Sequence, residues 1–296
     1  MRYIIPLIFL SINLSIASEL DFEITPQSSI SLGGGYDTDK NKDYNLYVDL
    51  ELPNFHHLGF GYFKNESSLD NSITDNYNLS VASSAYETTS LDANFSYTKL
   101  SDTMKSYSFS SGININLENW HFALTPKLKT ITYYLNSDRQ NTFNIFSKGS
   151  DISASYFGFE QYYFSANYTK NYFSKKTNFL RPIDFSSLTN NATNNLDVVN
   201  QHYLEDQRIQ LAVGRYYDWG DLDLNWSYSK LFNIAHWLGF AAIDELKEST
   251  NVQSYTASSN FIINKQFSVG FSLGLQTTSS DSDKLLFTSS EISYSW

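Results

Sequence analysis

Segments in which apolar and polar residues alternate recur along the chain from about residue 28 to its last residue. A β-strand points successive side chains to opposite faces, so this period of two predicts strands with one apolar and one polar face. Turn-forming or charged stretches separate the segments, which number about fourteen, within a range of roughly 12 to 16. The sequence therefore predicts an all-β chain.

The polar faces of these predicted strands carry small, uncharged side chains. The complete polar sets on the sixth and thirteenth strands are Ser106, Ser108, Ser110, Gly112, Asn114, Asn116, Ser268, Gly270, Ser272 and Gly274. Such residues do not form the close-packed apolar interior that a small soluble barrel needs. A barrel in lipid, by contrast, is apolar outside and polar inside. The predicted fold is a transmembrane antiparallel β-barrel.

Composition and charge agree with a membrane barrel. Aromatic residues make up 17 % of the chain and charged residues also 17 %, whereas an average soluble domain is about a quarter charged. The net charge of −11 argues against a nucleic-acid partner, which would require a basic surface. The chain has no cysteine, which excludes disulfides and a thiolate zinc site. We expect neither a metal site nor a cofactor.

The connections between the predicted strands alternate in length. Short turns, such as Glu118-Asn119 and Asn264-Lys265, alternate with longer polar loops, of which 171–201 and 234–248 are the longest. Transmembrane barrels have short periplasmic turns and longer external loops, so the long connections are expected on the outer side. The apolar residues between Ala235 and Ile243 predict a short helix in the second long loop.

The N-terminal residues have the pattern of a secretory signal peptide. Arg2 precedes an apolar run from Ile4 to Ile16, and small residues at Ser15 and Ala17 fit a cleavage site after Ala17. The expected organisation is a signal peptide over residues 1–17, a short periplasmic lead over 18–27 and a barrel over 28–296.

Two positions interrupt the alternation. Pro126 lies within the seventh strand, and proline has no N–H to donate, so we expect a bulge or a local loss of pairing there. In the eighth strand, Ile145 has one parity and Ile152 has the other. This change predicts either a bulge at 148–150 or a strand that begins only at Asp151.

The last strand carries a further signature, because Trp296, Tyr294 and Ile292 share one face of residues 285–296. This resembles the terminal strand of bacterial outer-membrane β-barrel proteins of the porin type, which end on Phe or Trp with Tyr two residues earlier. In that family the barrel-assembly machinery recognises the segment. The resemblance implies a monomer in the outer membrane of a Gram-negative bacterium, in contact with lipid and lipopolysaccharide.

The resemblance to porins implies passive passage of small hydrophilic solutes through the barrel. Charged residues of both signs fall on the predicted interior faces, where they either set a transverse field across a pore or pair across the wall and hold it rigid. The candidate lumen residues are Asp49, Glu51, Asp92, His121, Lys127, Lys129, Arg208, Asp223 and Glu291. Aromatic residues near strand ends are expected to form interfacial girdles; they are Tyr36, Tyr97, Trp120, Tyr168, Trp219, Trp226, Tyr294 and Trp296.

Two other functions are open from the sequence. One is a surface-exposed binding or structural barrel without an open pore, whose long loops bind a partner. The other is an outer-membrane hydrolase, for which His202, near Glu205 and Asp206, is the one catalytic candidate. A solvated loop histidine is the simpler interpretation, and we expect that the protein is not an enzyme. The adjacent His56 and His57 lack further metal ligands nearby.

Overall fold

The computed structural model describes residues 28–52, 56–68, 72–83, 88–100, 104–134, 142–159, 161–178, 203–233, 249–279 and 284–296. Almost all of these residues lie in strands that alternate in direction. The strands are β1 (Ser29–Asp37), β2 (Lys42–Leu52), β3 (His56–Glu66), β4 (Ile73–Ala82), β5 (Thr89–Leu100), β6 (Met104–Leu117), β7 (Trp120–Tyr134), β8 (Thr142–Phe159), β9 (Tyr162–Asn178), β10 (Tyr203–Tyr217), β11 (Gly220–Asn233), β12 (Ser249–Ile262), β13 (Phe267–Thr278) and β14 (Lys284–Ser295).

Each strand pairs in antiparallel fashion with its neighbours in sequence, and β1 pairs with β14 to close a barrel. Backbone hydrogen bonds between Ser28 and Trp296, of 3.1 and 3.0 Å, extend this seam beyond the two strands. Closure pairs the backbone groups that an open sheet would leave free at its two edges. The structure confirms the predicted antiparallel barrel and its fourteen strands.

Large apolar side chains cover the exterior of the barrel. Leu32 on β1 and its cross-strand partner Ile292 on β14 are 58 % and 57 % exposed. Their neighbours Ser31 and Ser293 point to the interior, where their hydroxyl oxygens lie 2.7 Å apart in a hydrogen bond. A sheet that turns leucine and isoleucine outward and serine inward has the polarity of a barrel surrounded by hydrocarbon.

The two rims of the barrel differ in their connections. One rim carries both chain ends of the barrel and short turns such as 118–119 and 218–219, and we call it the short-turn rim. The other, the long-loop rim, carries the connections 179–202 and 234–248. These two loops, with the predicted helix and His202, lie outside the described residues. In transmembrane barrels the short turns lie on the periplasmic side.

The loop predicted at 171–201 begins later than expected, because β9 continues to Asn178. Its added residues pair with β8, from Asn171 opposite Gly149 to Asn178 opposite Thr142. Without them, the backbone groups on one side of the outer part of β8 would have no strand partner. Because of the polar side chains in this segment, the alternation of apolar and polar residues did not predict the strand there.

Pro126 causes the predicted local loss of pairing. Partners of β6 and β7 run as far as Ser110 opposite Lys127 and resume at Ile113 opposite Leu124, with the same register on both sides. Pro126 keeps its partner Ser150 on β8. The proline therefore interrupts one side of the ladder without adding a bulge, as a missing N–H donor requires.

The prediction for the eighth strand is wrong. β8 is continuous, and its register with β7 and β9 is unbroken from Thr142 to Tyr156; its one irregularity lies between Tyr156 and Phe159. Ile145 faces the interior and is fully buried next to Ile131, whereas Ile152 faces the exterior. The parity changes because Ile145 is an apolar residue on the interior face, not because the strand slips.

Among the described residues, no helix is long and apolar enough to cross a membrane.

Candidate functional site: the barrel lumen

The cross-strand register assigns each candidate lumen residue to one face of the wall. Residues directly opposite each other in a sheet share a face, and the exposed leucines, isoleucines and phenylalanines mark the exterior. By this criterion the interior face carries Asp49, Glu51, Asp92, His121, Lys127, Lys129, Arg208, Asp223 and Glu291. The residues do not converge on one point, and they form separate groups around the wall.

The basic residues form a group with acidic partners on β7 to β10. Lys127 forms an ion pair with Asp151 of β8. Arg208 Nη1 lies 3.8 Å from Glu205 Oε2 within β10. Ion pairs between partly exposed side chains, such as these two, each contribute only about 0–1 kcal/mol to stability. Their main effect is to neutralise the positive charge of this part of the wall.

Glu291 belongs to a different group, on β14, β1 and β2. Its Oε2 accepts a hydrogen bond of 3.1 Å from Asn45 Nδ2, across the intervening strand at Gly33. A Cβ at Gly33 would overlap Asn45 Oδ1 and lie 2.7 Å from the backbone oxygen of Ser290. The first of the three consecutive glycines in β1 therefore makes room for a contact between its two flanking strands.

Two further carboxylates are held by neutral or titratable partners. Asn114 Nδ2 donates a hydrogen bond of 2.7 Å to Asp92 Oδ2. His57 Nδ1 lies 3.1 Å from Asp49 Oδ2, and both side chains are partly exposed to the lumen. An amide partner leaves the carboxylate charge in place, so Asp92 keeps a negative charge on β5.

Asp223 repeats the arrangement seen at Gly33. It accepts a hydrogen bond from the Tyr163 hydroxyl, although β10 lies between β11 and β9. The residue of β10 between them is Gly214, where a Cβ would overlap both side chains. On β7, two strands from β9, His121 Nδ1 lies 2.6 Å from Asn116 Oδ1 of β6, so this histidine also contacts an amide.

Acidic residues outnumber basic ones on the interior face of the described strands. Among the residues whose side chains the structure describes, the interior bases are Lys127, Lys129 and Arg208, and the first and last have acidic partners. The interior acids are Asp37, Asp43, Asp49, Glu51, Asp92, Asp151, Glu205, Asp221, Asp223 and Glu291. A mobile ion inside the barrel would therefore experience a negative lining.

Near the long-loop rim, a layer of apolar side chains lies on the interior face among buried polar ones such as Thr98, Ser106 and Thr250, and the sequence analysis missed it. Six interior side chains there are no more than 6 % exposed: Leu100, Ile131, Tyr133, Ile145, Leu231 and Val252. Ile131 and Ile145 are direct cross-strand partners, and Leu100 and Tyr133 flank Met104. In the sequence, this apolar layer was indicated only by the change of parity between Ile145 and Ile152 in β8.

Aromatic residues stand on the exterior near both rims. Trp219 stacks on Tyr217 and Phe261, with ring centroids 4.8 and 4.9 Å away. Tyr36 and Tyr97 lie toward the long-loop rim, whereas Trp120, Trp219, Tyr294 and Trp296 lie at the short-turn rim. Tyr168 is six residues from the short-turn end of β9 and ten from its other end. Trp226 is nearer the middle of its strand than the others.

The described histidines do not form a metal centre. His56 and His57 are adjacent in sequence but lie on opposite faces of β3, so their imidazoles cannot converge on one ion. Within the described ranges there is no group of three or more His, Cys, Asp or Glu residues that could hold a metal ion.

The closed sheet, the apolar exterior and the polar interior together define a transmembrane β-barrel protein. No protein-family model matches the sequence, and no curated protein matches it. Among solved structures, the chain is similar to the outer membrane protein OprD from Pseudomonas aeruginosa, with 10 % identity over 91 % of this chain and 94 % of that chain and a TM-score of 0.44.

It is also similar to a loop-deletion mutant of OmpT, an outer membrane protein of Vibrio cholerae, with 6 % identity over 91 % of this chain and 98 % of that chain and a TM-score of 0.49. A third similar structure is the KdgM porin, with 10 % identity over 90 % of this chain and 99 % of that chain and a TM-score of 0.40.

Proposed function

We propose that this protein is a porin-like channel through which small hydrophilic solutes cross the outer membrane passively, with a preference for cations. The observation that carries the proposal is the interior face, which combines small polar residues with carboxylates. No enzymatic step is part of the proposal.

The cation preference follows from how the interior charges are partnered. Lys127 and Arg208 have acidic partners, so their charges are largely compensated. Glu291 and Asp92 are held by asparagines, which do not compensate a negative charge. Charged side chains that line a pore raise the local concentration of ions of the opposite sign. A lining of this kind favours cations over anions.

Planar-bilayer recording of the refolded protein tests both parts of the proposal. In a salt gradient, we expect single-channel conductance and a reversal potential whose sign indicates cation preference. Glu291→Gln should move the reversal potential toward zero, whereas Glu66→Gln, on the exterior face of β3, should leave it unchanged. Absence of conductance would overturn the channel, and an anion-selective current would overturn the cation preference.

The apolar layer near the long-loop rim favours a second candidate, a barrel without an open path that serves as a surface-exposed binding or structural protein. Ile145 is fully buried and Val252 is 2 % exposed, so neither side chain contacts bulk water. A hydrophobic constriction blocks ions when it dewets. If the wild type is silent in the bilayer and Ile145→Ser conducts, the second candidate replaces the first.

We also propose that the barrel is a monomer that contacts lipopolysaccharide, and that β14 is recognised by the barrel-assembly machinery. The exposed Trp296, together with Tyr294 on the same exterior face, supports the role of β14. Replacing Trp296 by serine should lower the amount of folded barrel in outer membranes of expressing cells while leaving refolding into detergent intact. Equal amounts of folded barrel in the membrane would contradict this role.

A further inference from the structure

A row of aromatic rings lies on the interior face at the short-turn end of the barrel. Tyr163 is the second residue of β9, and Tyr216 is the last but one of β10. Their ring centroids are 5.3 Å apart, and the Phe157 ring of β8 lies 5.9 Å from that of Tyr163. Tyr216 is 37 % exposed. The row therefore presents ring surface to the lumen, whereas the interior faces of β12 and β13 carry mainly serine, threonine and glycine.

Two carboxylates of β11 stand beside these rings. Asp221 is the direct cross-strand partner of Tyr216, and Asp223 accepts a hydrogen bond from the Tyr163 hydroxyl. Asp221 has hydrogen bonds with Asn260 of β12. Tyrosine and asparagine are neutral partners, so they leave both negative charges in place. Among the described residues, no lysine or arginine forms an ion pair with either acid.

The exterior face of the same two strands holds a cation between two tyrosines. Arg215 stands directly opposite Tyr162 and two residues before Tyr217, and its guanidinium carbon lies 5.0 and 4.8 Å from the centres of their rings. On the interior face, the residue in the corresponding position, opposite Tyr163, is Gly214. The interior therefore repeats the pair of tyrosines with a glycine where the exterior has an arginine.

The interior bases whose side chains are described lie far from the rings. On β10, Arg208 is eight residues from Tyr216, which corresponds to roughly 27 Å along a strand. Arg208 also has an acidic partner, Glu205. Lys127 and Lys129 lie on β7, three strands away from β10. A cation that enters from solution would therefore meet uncompensated carboxylates and exposed ring faces together.

Rings beside carboxylates suit one kind of cation in particular. The face of an aromatic ring attracts a cation, and the attraction is larger when the cation has lost its water. Small inorganic cations hold their water strongly and gain little from a ring. An ammonium ion covered by alkyl groups is weakly hydrated, so its alkyl surface can pack against the rings while its charge faces the carboxylates.

We propose that the short-turn end of the lumen binds alkylated ammonium ions, that is, organic cations whose charge is covered by methyl or larger alkyl groups. The alkyl groups lie against Tyr163 and Tyr216, and the positive charge faces Asp221 and Asp223. As a class of solute for the channel, these ions rest on the proposed function. Their binding requires only the closed barrel.

Binding is measured without current, on the barrel refolded in a nonionic detergent. Saturation-transfer NMR detects contact between the barrel and the methyl protons of tetramethylammonium, and tert-butanol serves as a neutral molecule of similar size and shape. After subtraction of empty micelles, we expect a saturable signal for tetramethylammonium only. Choline should compete with it, whereas potassium at the same concentration should not. Equal signals from the two probes, or equal competition by potassium, would overturn the proposal.

Matched variants separate this site from the general charge of the lumen. Tyr216→Leu and Asp221→Asn should each lower the affinity for tetramethylammonium about fivefold, because each removes one of the two attractions. Tyr47→Leu and Asp92→Asn make the same changes elsewhere on the interior face and should bind as the wild type does. Tyr47 of β2 is also 37 % exposed, and Asp92 of β5 is held by Asn114.

A gel-mobility shift on heating shows that each variant is folded. Unchanged affinity in Tyr216→Leu or Asp221→Asn, or an equal loss in the two control variants, would show that no such site exists at this end of the lumen. A barrel that binds tetramethylammonium but conducts no current would overturn the channel alone. A barrel that conducts but gives no saturable signal would overturn the site alone.

Discussion

The orientation of the wall is tested by placing one charge on each face at adjacent positions. Leu224 on β11 is 54 % exposed and stands on the exterior between Val213 and Ala257. It lies five residues from Trp219 at the short-turn rim and four from the exterior Tyr228 toward the other rim, so it is close to the middle of the hydrocarbon span. Asn225, the next residue, faces the interior between Ala212 and Thr256.

Arginine at the two positions should have very different costs. On the lipid-facing side near the bilayer midplane, an arginine costs about 2–4 kcal/mol, which corresponds to roughly a 100-fold change in the ratio of folded to unfolded protein. On the interior face the guanidinium stays hydrated between small neighbours and near Asp223, so Asn225→Arg should cost about 0–1 kcal/mol. Both variants add the same charge to the same strand.

Reversible unfolding in guanidinium, with the barrel in phosphatidylcholine vesicles and tryptophan fluorescence as the signal, measures both free energies. Leu224→Arg should lower the free energy of unfolding by about 3 kcal/mol relative to Asn225→Arg. Equal losses, or a larger loss for Asn225→Arg, would refute the assignment of exterior and interior faces. The same variants in detergent micelles, where the charge finds water more easily, should differ less.

Further predictions concern the wall itself. Gly33→Ala should destabilise the barrel by about 1–3 kcal/mol, because a Cβ there meets Asn45 and a backbone oxygen and breaks the bond to Glu291. Gly270→Ala, whose Cβ would meet Glu291 Cβ at 3.9 Å, should be close to neutral in the same unfolding assay. Pro126→Ala should stabilise the barrel by about 1 kcal/mol, since it supplies the missing donor between β6 and β7; no gain would mean that the gap in pairing has another cause.

Much of the wall could be predicted because each strand faces two different solvents. Lipid on one side and a polar cavity on the other impose a period of two, and this assigns Leu224 and Asp223 to opposite faces without any knowledge of tertiary contacts. The register itself was not predictable, because it depends on which residues meet across strands. That Gly214 would let Tyr163 reach Asp223 follows only from the observed pairing.

The period-two pattern misassigned residues where its assumption about the interior did not hold. It takes the interior as polar along the whole length of the barrel, but Ile131 and Ile145 are interior residues with almost no exposure. It also stops at the first polar residues after a strand, and so it ended β9 before Asn171 although pairing with β8 continues.

The seam between β1 and β14 joins groups such as Ser31 and Ser293, which are 262 positions apart along the chain. Bringing such distant groups together carries a large entropic penalty before any contact repays it, so contacts of this kind form slowly. The hairpins of the wall can assemble earlier from neighbouring segments. Pairing of β1 with β14 is therefore expected to limit the rate at which the barrel folds. Until these two strands pair, the sheet has two open edges.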